Sequence, residues 1–133
     1  MSIPAPSPMT ASTQKTLRLL YADDMSALRE VVGAILANSG YSIESVADGA
    51  LALERIIANP DAFEVLITDH HMPKLNGLEL VARLRELSFP GKIVVVSSEL
   101  NPTVHAAYES LNVDKILPKP FSPSELRQTL TEL

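Results

Sequence analysis

The run Val65-Leu66-Ile67-Thr68 ends abruptly on Asp69, and that break constrains the fold more than any other stretch of the chain. An apolar run rich in β-branched residues reads as a strand buried on both faces, since a half-exposed strand would alternate with polar residues. After Asp69 the strand cannot continue: Pro73 lacks an N–H, and Asn76-Gly77 is a turn pair. Strands buried on both faces belong to parallel sheets covered by helices, and open sheets of that kind collect ligands at the carboxyl ends of their strands. Asp69 is therefore predicted at such an end. Taken alone, it could equally be an acid that caps the turn after it.

The same grammar recurs along the chain. Leu17 to Ala22 is a nearly continuous apolar strand that stops at Asp23-Asp24, and Met25, Leu28, Val32, Ile35 and Leu36 then follow at helical spacing up to Asn38-Ser39-Gly40. Tyr41 to Val46 alternates, which predicts a half-exposed strand at a sheet edge. Asp48 is placed to cap a helix carrying Leu51, Leu53, Ile56 and Ile57. A third helix follows Gly77, with Leu80, Val81, Leu84 and Leu87 predicted inward. Lys92 to Ser98 is the most apolar strand, and Asn101-Pro102 reads as a cap and first residue for a helix over Thr103 to Leu111. Asn112 suits the left-handed position that ends that helix. Asp114 to Leu117 is a short fifth strand. Ser122-Pro123-Ser124-Glu125 has the form of a capping box ahead of a last helix bearing Leu126, Leu130 and Leu133. Five strands alternating with five helices imply an α/β fold, a parallel sheet with helices on both faces, and right-handed crossovers put every strand's carboxyl end on one rim.

Composition narrows the functional classes. A chain of 133 residues is one domain's worth, and 46% hydrophobic with 5% aromatic suits an aliphatic core. The absence of Cys excludes disulfides and thiolate chemistry. A formal charge of -5 without a basic run argues against nucleic acid as a direct partner. No stretch approaches the ~18 apolar residues of a membrane span. Residues 1–16 are Ser-, Thr- and Pro-rich without an apolar signal segment, and are expected to be a disordered leader to a domain over residues 17–133, in a cytoplasmic protein.

Along the predicted rim stand Asp23 and Asp24 after the first strand, Asp69 after the third, Ser97 and Ser98 at the fourth, and Lys119 at the fifth. Clustered carboxylates repel one another unless a cation offsets them, and Mg²⁺ with carboxylate, carbonyl and water ligands suits such a set. A lysine and a hydroxyl beside the acids provide for an anion as well, and phosphate fits. One carboxylate then remains as nucleophile for an aspartyl phosphate. His70 and His71 invite a transition-metal site with Asp69, but adjacent side chains on an extended segment are expected to diverge.

With the Asp23-Asp24 pair, Asp69-His70-His71-Met72-Pro73 with Asn76-Gly77, Ser97, and Lys119-Pro120-Phe121 in this order, the chain resembles the receiver domain of two-component response regulators, from about Leu17 to Leu133. The resemblance implies a flavodoxin-like, doubly wound five-stranded sheet of order 2-1-3-4-5. It implies Asp69 as acceptor of a phosphoryl group from a sensor histidine kinase or phosphotransfer protein. Asp24 would bind Mg²⁺ directly, Asp23 largely through water, and His71 through its backbone carbonyl. Ser97 and Lys119 would hold the phosphoryl group, and a cis bond is expected at Lys119-Pro120. A downstream effector protein, or a second copy, would dock on the face made by the fourth helix, fifth strand and fifth helix. His71 and Glu99 would flank the entrance to the phosphoryl group.

Three departures stand out. Ser97 replaces the frequent Thr, Asn76-Gly77 replaces Asp-Gly, and Ile116 stands where many receivers carry the Tyr or Phe whose ring swings inward on activation. Two other functions stay open at this point. One is a constitutive interaction module that keeps the fold without using the site. The other is a phosphatase working through an aspartyl phosphate, although His71 stands where many such enzymes place a second acid.

Overall fold

A computed structural model describes residues 16–98 and 101–133. Most of the expected leader and Glu99 thus lie outside the described residues. Strands β1 (Arg18–Ala22), β2 (Ser42–Val46), β3 (Val65–Asp69), β4 (Lys92–Ser97) and β5 (Lys115–Pro118) alternate with helices α1 (Ser26–Asn38), α2 (Gly49–Ala58), α3 (Gly77–Glu86), α4 (Pro102–Ser110) and α5 (Pro123–Thr131). All pairings are parallel and the sheet order is β2-β1-β3-β4-β5, as the resemblance implies.

The period-2 alternation of side chains divides the core in two. Leu20, Ala22, Leu66, Ile93 and Val95 pack with Ala52, Leu53 and Ile56 of α2, Leu80, Val81 and Leu84 of α3, and Tyr108 of α4. Leu19, Tyr21, Val65, Ile67, Val94 and Val96 pack with Val32 and Leu36 of α1 and Leu126 and Leu130 of α5. Both faces of β3 are thus covered, which is why its sequence does not alternate. Truncating a side chain such as Leu84, fully buried between α3 and the sheet, would cost about 2–5 kcal/mol. β2 is the half-exposed edge that its alternation predicts. Its Glu44 pairs with Arg55 of α2, whose guanidinium lies 5.7 Å from the centre of the Phe63 ring.

Local signals set the helix ends. Asp48 accepts the Leu51 N–H, and Asn101 caps α4 with Pro102 in its first turn. Ser122 and Glu125 form the expected capping box, and Asn112 has φ 58°, the left-handed exit from α4. Asn76 does more than turn the chain. It caps α3 and forms a second capping box with Glu79.

One inward assignment is corrected, and one residue grouped with a helix by its spacing lies just before it. Leu87 is 52% exposed, because α3 ends at Glu86 and Ser88 reverses the chain at φ 58°, so Phe89 takes the buried place instead. Met25, the N-cap of α1, is 53% exposed, since the helix begins only after it.

Candidate functional site

Parallel pairing brings the strand ends together. Asp69 is the last residue of β3, in register with Val96 of β4, and Ser97 follows one position further along the rim. Asp23 extends β1 by one residue, and its N–H donates to the Val46 carbonyl oxygen. Its carboxylate is fully buried and held by three donors. The Tyr21 hydroxyl donates at 2.6 Å, the Met25 N–H at 2.9 Å and the Lys119 ammonium at 3.1 Å. The Arg29 guanidinium donates to the Asp23 carbonyl oxygen, which ties α1 to the same loop.

Lys119 lies at the end of β5, its N–H bonded to the Ser97 carbonyl oxygen at 2.9 Å and its peptide to Pro120 cis. Its Nζ is 3.1 Å from Asp23 and 3.4 Å from Asp69 Oδ1, a single ammonium shared by two carboxylates. Asp24 is exposed, yet one oxygen from each of Asp23, Asp24 and Asp69 lies within 4.8 Å of the others. Three carboxylates and one ammonium leave a formal charge of −2. Burial raises the pKa of Asp69, and the neighbouring Asp23 adds to the rise. Lys119 and the His70 N–H, which donates to Asp69 Oδ1 at 2.8 Å, oppose it. The cluster holds more negative charge than its lysine offsets, and its all-oxygen donor set suits a hard divalent cation.

His71, two residues after Asp69, is exposed. The expectation that the two histidines diverge is corrected. Their ring centres are 4.7 Å apart and edge-on, because the strand has ended at Asp69 and the alternation of an extended chain no longer applies. The contact does not make a metal site with Asp69: among the described residues the ligand atoms that gather around it are those of Asp23 and Asp24, not of the histidines, and Nδ1 of His70 lies 2.6 Å from the Tyr108 hydroxyl. Burial lowers the pKa of His70, so the ring is neutral near pH 7 and the hydroxyl donates to Nδ1 when the ring hydrogen is on Nε2. Burial likewise pushes the Tyr108 hydroxyl above its usual range.

This His70–Tyr108 pair escaped the sequence reading. Its partners are 38 positions apart, and the sequence marks Tyr108 only as part of the helix over Thr103 to Leu111. Gly77 makes the contact possible. A Cβ there would fall 2.5 Å from the Tyr108 hydroxyl and 2.5 Å from the Asp69 carbonyl oxygen.

A family profile described as "Response regulator receiver domain" matches residues 19–131. The chain belongs to this family. It is similar to "Response regulator MprA" of Mycobacterium avium, at 37% identity over 111 residues, 83% of this chain and 47% of that protein. The same-named protein of Mycobacterium leprae matches equally, at 37% over 111 residues. The chain thus spans about half the length of the curated relatives it matches. Among solved structures it is similar to the Vibrio cholerae chemotaxis protein CheY4, with a TM-score of 0.81 and 30% identity over 89% of this chain and 98% of that one. A response regulator receiver protein from Pseudomonas putida, at 21% identity and TM-score 0.81, shares the fold. The receiver is a signalling domain of two-component systems, whose members work with histidine kinases and effectors. Among the described residues no helix is long and apolar enough to cross a membrane.

Proposed function

We propose that this receiver accepts a phosphoryl group on Asp69 from the phosphohistidine of a sensor histidine kinase or phosphotransfer protein, and thereby changes its affinity for a downstream protein. The observation that carries this reading is the buried Asp69 carboxylate, 3.4 Å from the Lys119 ammonium and within the three-acid cluster. A carboxylate so confined is poised for chemistry that adds charge only together with a cation.

In the reaction a carboxylate oxygen of Asp69 attacks phosphorus in line. The P–N bond breaks, its electron pair stays with the imidazole nitrogen, and an acyl phosphate forms. The His70 N–H fixes the carboxylate's rotation by holding Oδ1. Lys119 moves its charge toward a phosphoryl oxygen once Asp69 is phosphorylated, and the Ser97 hydroxyl at the end of β4 is the donor assigned to a second oxygen. Asp23, Asp24 and Asp69, with the His71 carbonyl, are the residues assigned to Mg²⁺. When bound, that ion supplies charge neutralisation between the carboxylates and the phosphoryl group. By the resemblance, His71 and Glu99 are expected to set the rates of phosphoryl gain and loss without affecting the fold. Residues 17–133 make up the domain and act as a unit. The α4-β5-α5 face is the docking surface for the effector or for a second copy.

Acetyl phosphate with Mg²⁺ tests the reading. The intact mass should gain one phosphoryl group, and Asp69→Asn should gain none. Equal labelling in the Asn variant refutes the assignment. A wild type that stays unlabelled would favour the constitutive interaction module.

A further inference from the structure

We propose that Tyr108 is a positioning residue that couples Asp69 to the outer face of α4 through His70, in the place of an aromatic on β5. The inference rests on Asp69 being the phosphoacceptor and goes on to say where that event is felt.

Tyr108 is the one buried residue of α4, and it is 0% exposed. The seating of this helix on the sheet therefore depends chiefly on a single ring, with Val104 and Leu111 only partly covered beside it. That ring ends in a hydroxyl 2.6 Å from His70 Nδ1 and meets the imidazole edge-on, with centres 5.5 Å apart. His70 is the next residue after Asp69, and its N–H holds Asp69 Oδ1. Its carbonyl oxygen accepts the Gly77 N–H at 2.8 Å. Around Gly77 there is no slack. A Cβ there would lie within 2.5 Å of both the Tyr108 hydroxyl and the Asp69 carbonyl oxygen, and 3.0 Å from His70 Cα.

Groups packed this closely pass a displacement on, because dense interiors switch between arrangements instead of yielding gradually. Phosphorylating Asp69 commits one carboxylate oxygen to the acyl phosphate and moves the negative charge that Lys119 and the His70 N–H now hold out onto the phosphoryl oxygens. Any resulting shift of the His70 backbone reaches the imidazole, then the Tyr108 hydroxyl, then the helix. Ile116 can carry no such message, since its aliphatic side chain packs partly buried against the same cluster and offers no polar tip. The coupling is reciprocal in binding free energy, so a protein seated on α4 alters the stability of the loaded site.

The test uses the full chain with Mg²⁺ and beryllofluoride as phosphoryl analogue, and reads amide shift changes over residues 103–111. Tyr108→Phe keeps the ring and removes only the hydroxyl. Its α4 response should fall by about fivefold or more relative to wild type, while changes around Asp69 persist. His70→Leu should lower the response similarly, and the double variant should be no lower than either single one. His70→Gln, whose side-chain oxygen can accept from the hydroxyl, should come within about twofold of wild type. A Tyr108→Phe response within about twofold of wild type overturns the coupling. If that variant does not fold, the contrast between His70→Leu and His70→Gln decides, and equal responses in those two overturn it. If wild type neither responds to beryllofluoride nor gains mass from acetyl phosphate, the phosphoacceptor reading itself fails. Mass gain at Asp69 with an α4 response that ignores these substitutions refutes the coupling alone.

Discussion

Gly77→Ala is the smallest substitution that probes the packing behind the site. A methyl group there would stand 2.5 Å from the Asp69 carbonyl oxygen, 2.5 Å from the Tyr108 hydroxyl and 3.0 Å from His70 Cα. Two of these are backbone atoms in or beside a fully buried strand, and the third is the tip of a rigid, fully buried ring. None can yield cheaply. Overpacking of this kind costs about 1–3 kcal/mol. Displacing the hydroxyl from His70 strands a buried donor and adds about 1–3 kcal/mol. Replacing glycine at a position without positive φ returns about 0.4–1 kcal/mol through a stiffer unfolded chain. The net expectation is a loss of about 2–4 kcal/mol. In urea that would lower the midpoint by about 1–2 M. In the Tyr108→Phe background the hydroxyl is gone but the Asp69 carbonyl oxygen remains, so the loss should shrink by about 1 kcal/mol without vanishing. An unchanged midpoint for Gly77→Ala, or strict additivity of the two substitutions, would show that these groups are not crowded as described.

Lys119→Met leaves two buried carboxylates without their ammonium and should destabilise the metal-free protein by about 3–5 kcal/mol, a loss that Mg²⁺ or acid reduces; thermal unfolding with and without the ion checks both. Asp24→Asn should weaken Mg²⁺ binding in a calorimetric titration yet raise the metal-free unfolding temperature, since it removes one of three clustered acids. Burial sets the folded pKa of Asp69 above its unfolded value, so the folded state holds the proton more tightly and ionisation costs stability as pH rises through that window. Asp69→Asn should therefore exceed wild type in metal-free stability near neutral pH and match it well below the ordinary carboxylate range, which denaturation across pH will show. Glu44 behaves oppositely. Its hydrogen bond from Arg55 lowers the folded pKa, so that pair's contribution is present above the unfolded value and lost as pH falls. Because both side chains are about 40% exposed, Arg55→Gln should lower neutral stability by under ~1 kcal/mol and flatten that acid dependence.

The fold was legible because its signals are periodic and local. β3 lacks alternation since both its faces are covered, and β2 alternates since it lies at the edge. The caps at Asp48, Asn101 and Ser122 each carry their partner within three residues. Legibility ended where a helix stopped within an apolar pattern, as at Leu87, because periodicity marks a face and not a terminus. The acids and lysine on the rim could be named because each follows a core strand, and the structure brings Asp23, Asp69 and Lys119 within ion-pair distance. The layer beneath them could not be named. A bond between His70 and Tyr108 depends on how α4 settles on the sheet, and nothing in the spacing of the two residues encodes it. The contact between His70 and His71 failed for a related reason, since the extended geometry assumed for them ends one residue earlier.

The lysine that serves both acids joins the chain 96 positions after the first of them. β1 and β3 pair directly, so Asp23 and Asp69 reach the same rim without any contribution from β5. A chain folded only through β4 therefore carries both carboxylates without the ammonium, and their repulsion works against it. The last strand brings relief along with its own pairing to β4. Half-built forms are penalised by charge as well as by missing contacts, which sharpens the all-or-none character of folding. A nascent chain acquires this charge balance only once its final strand has docked.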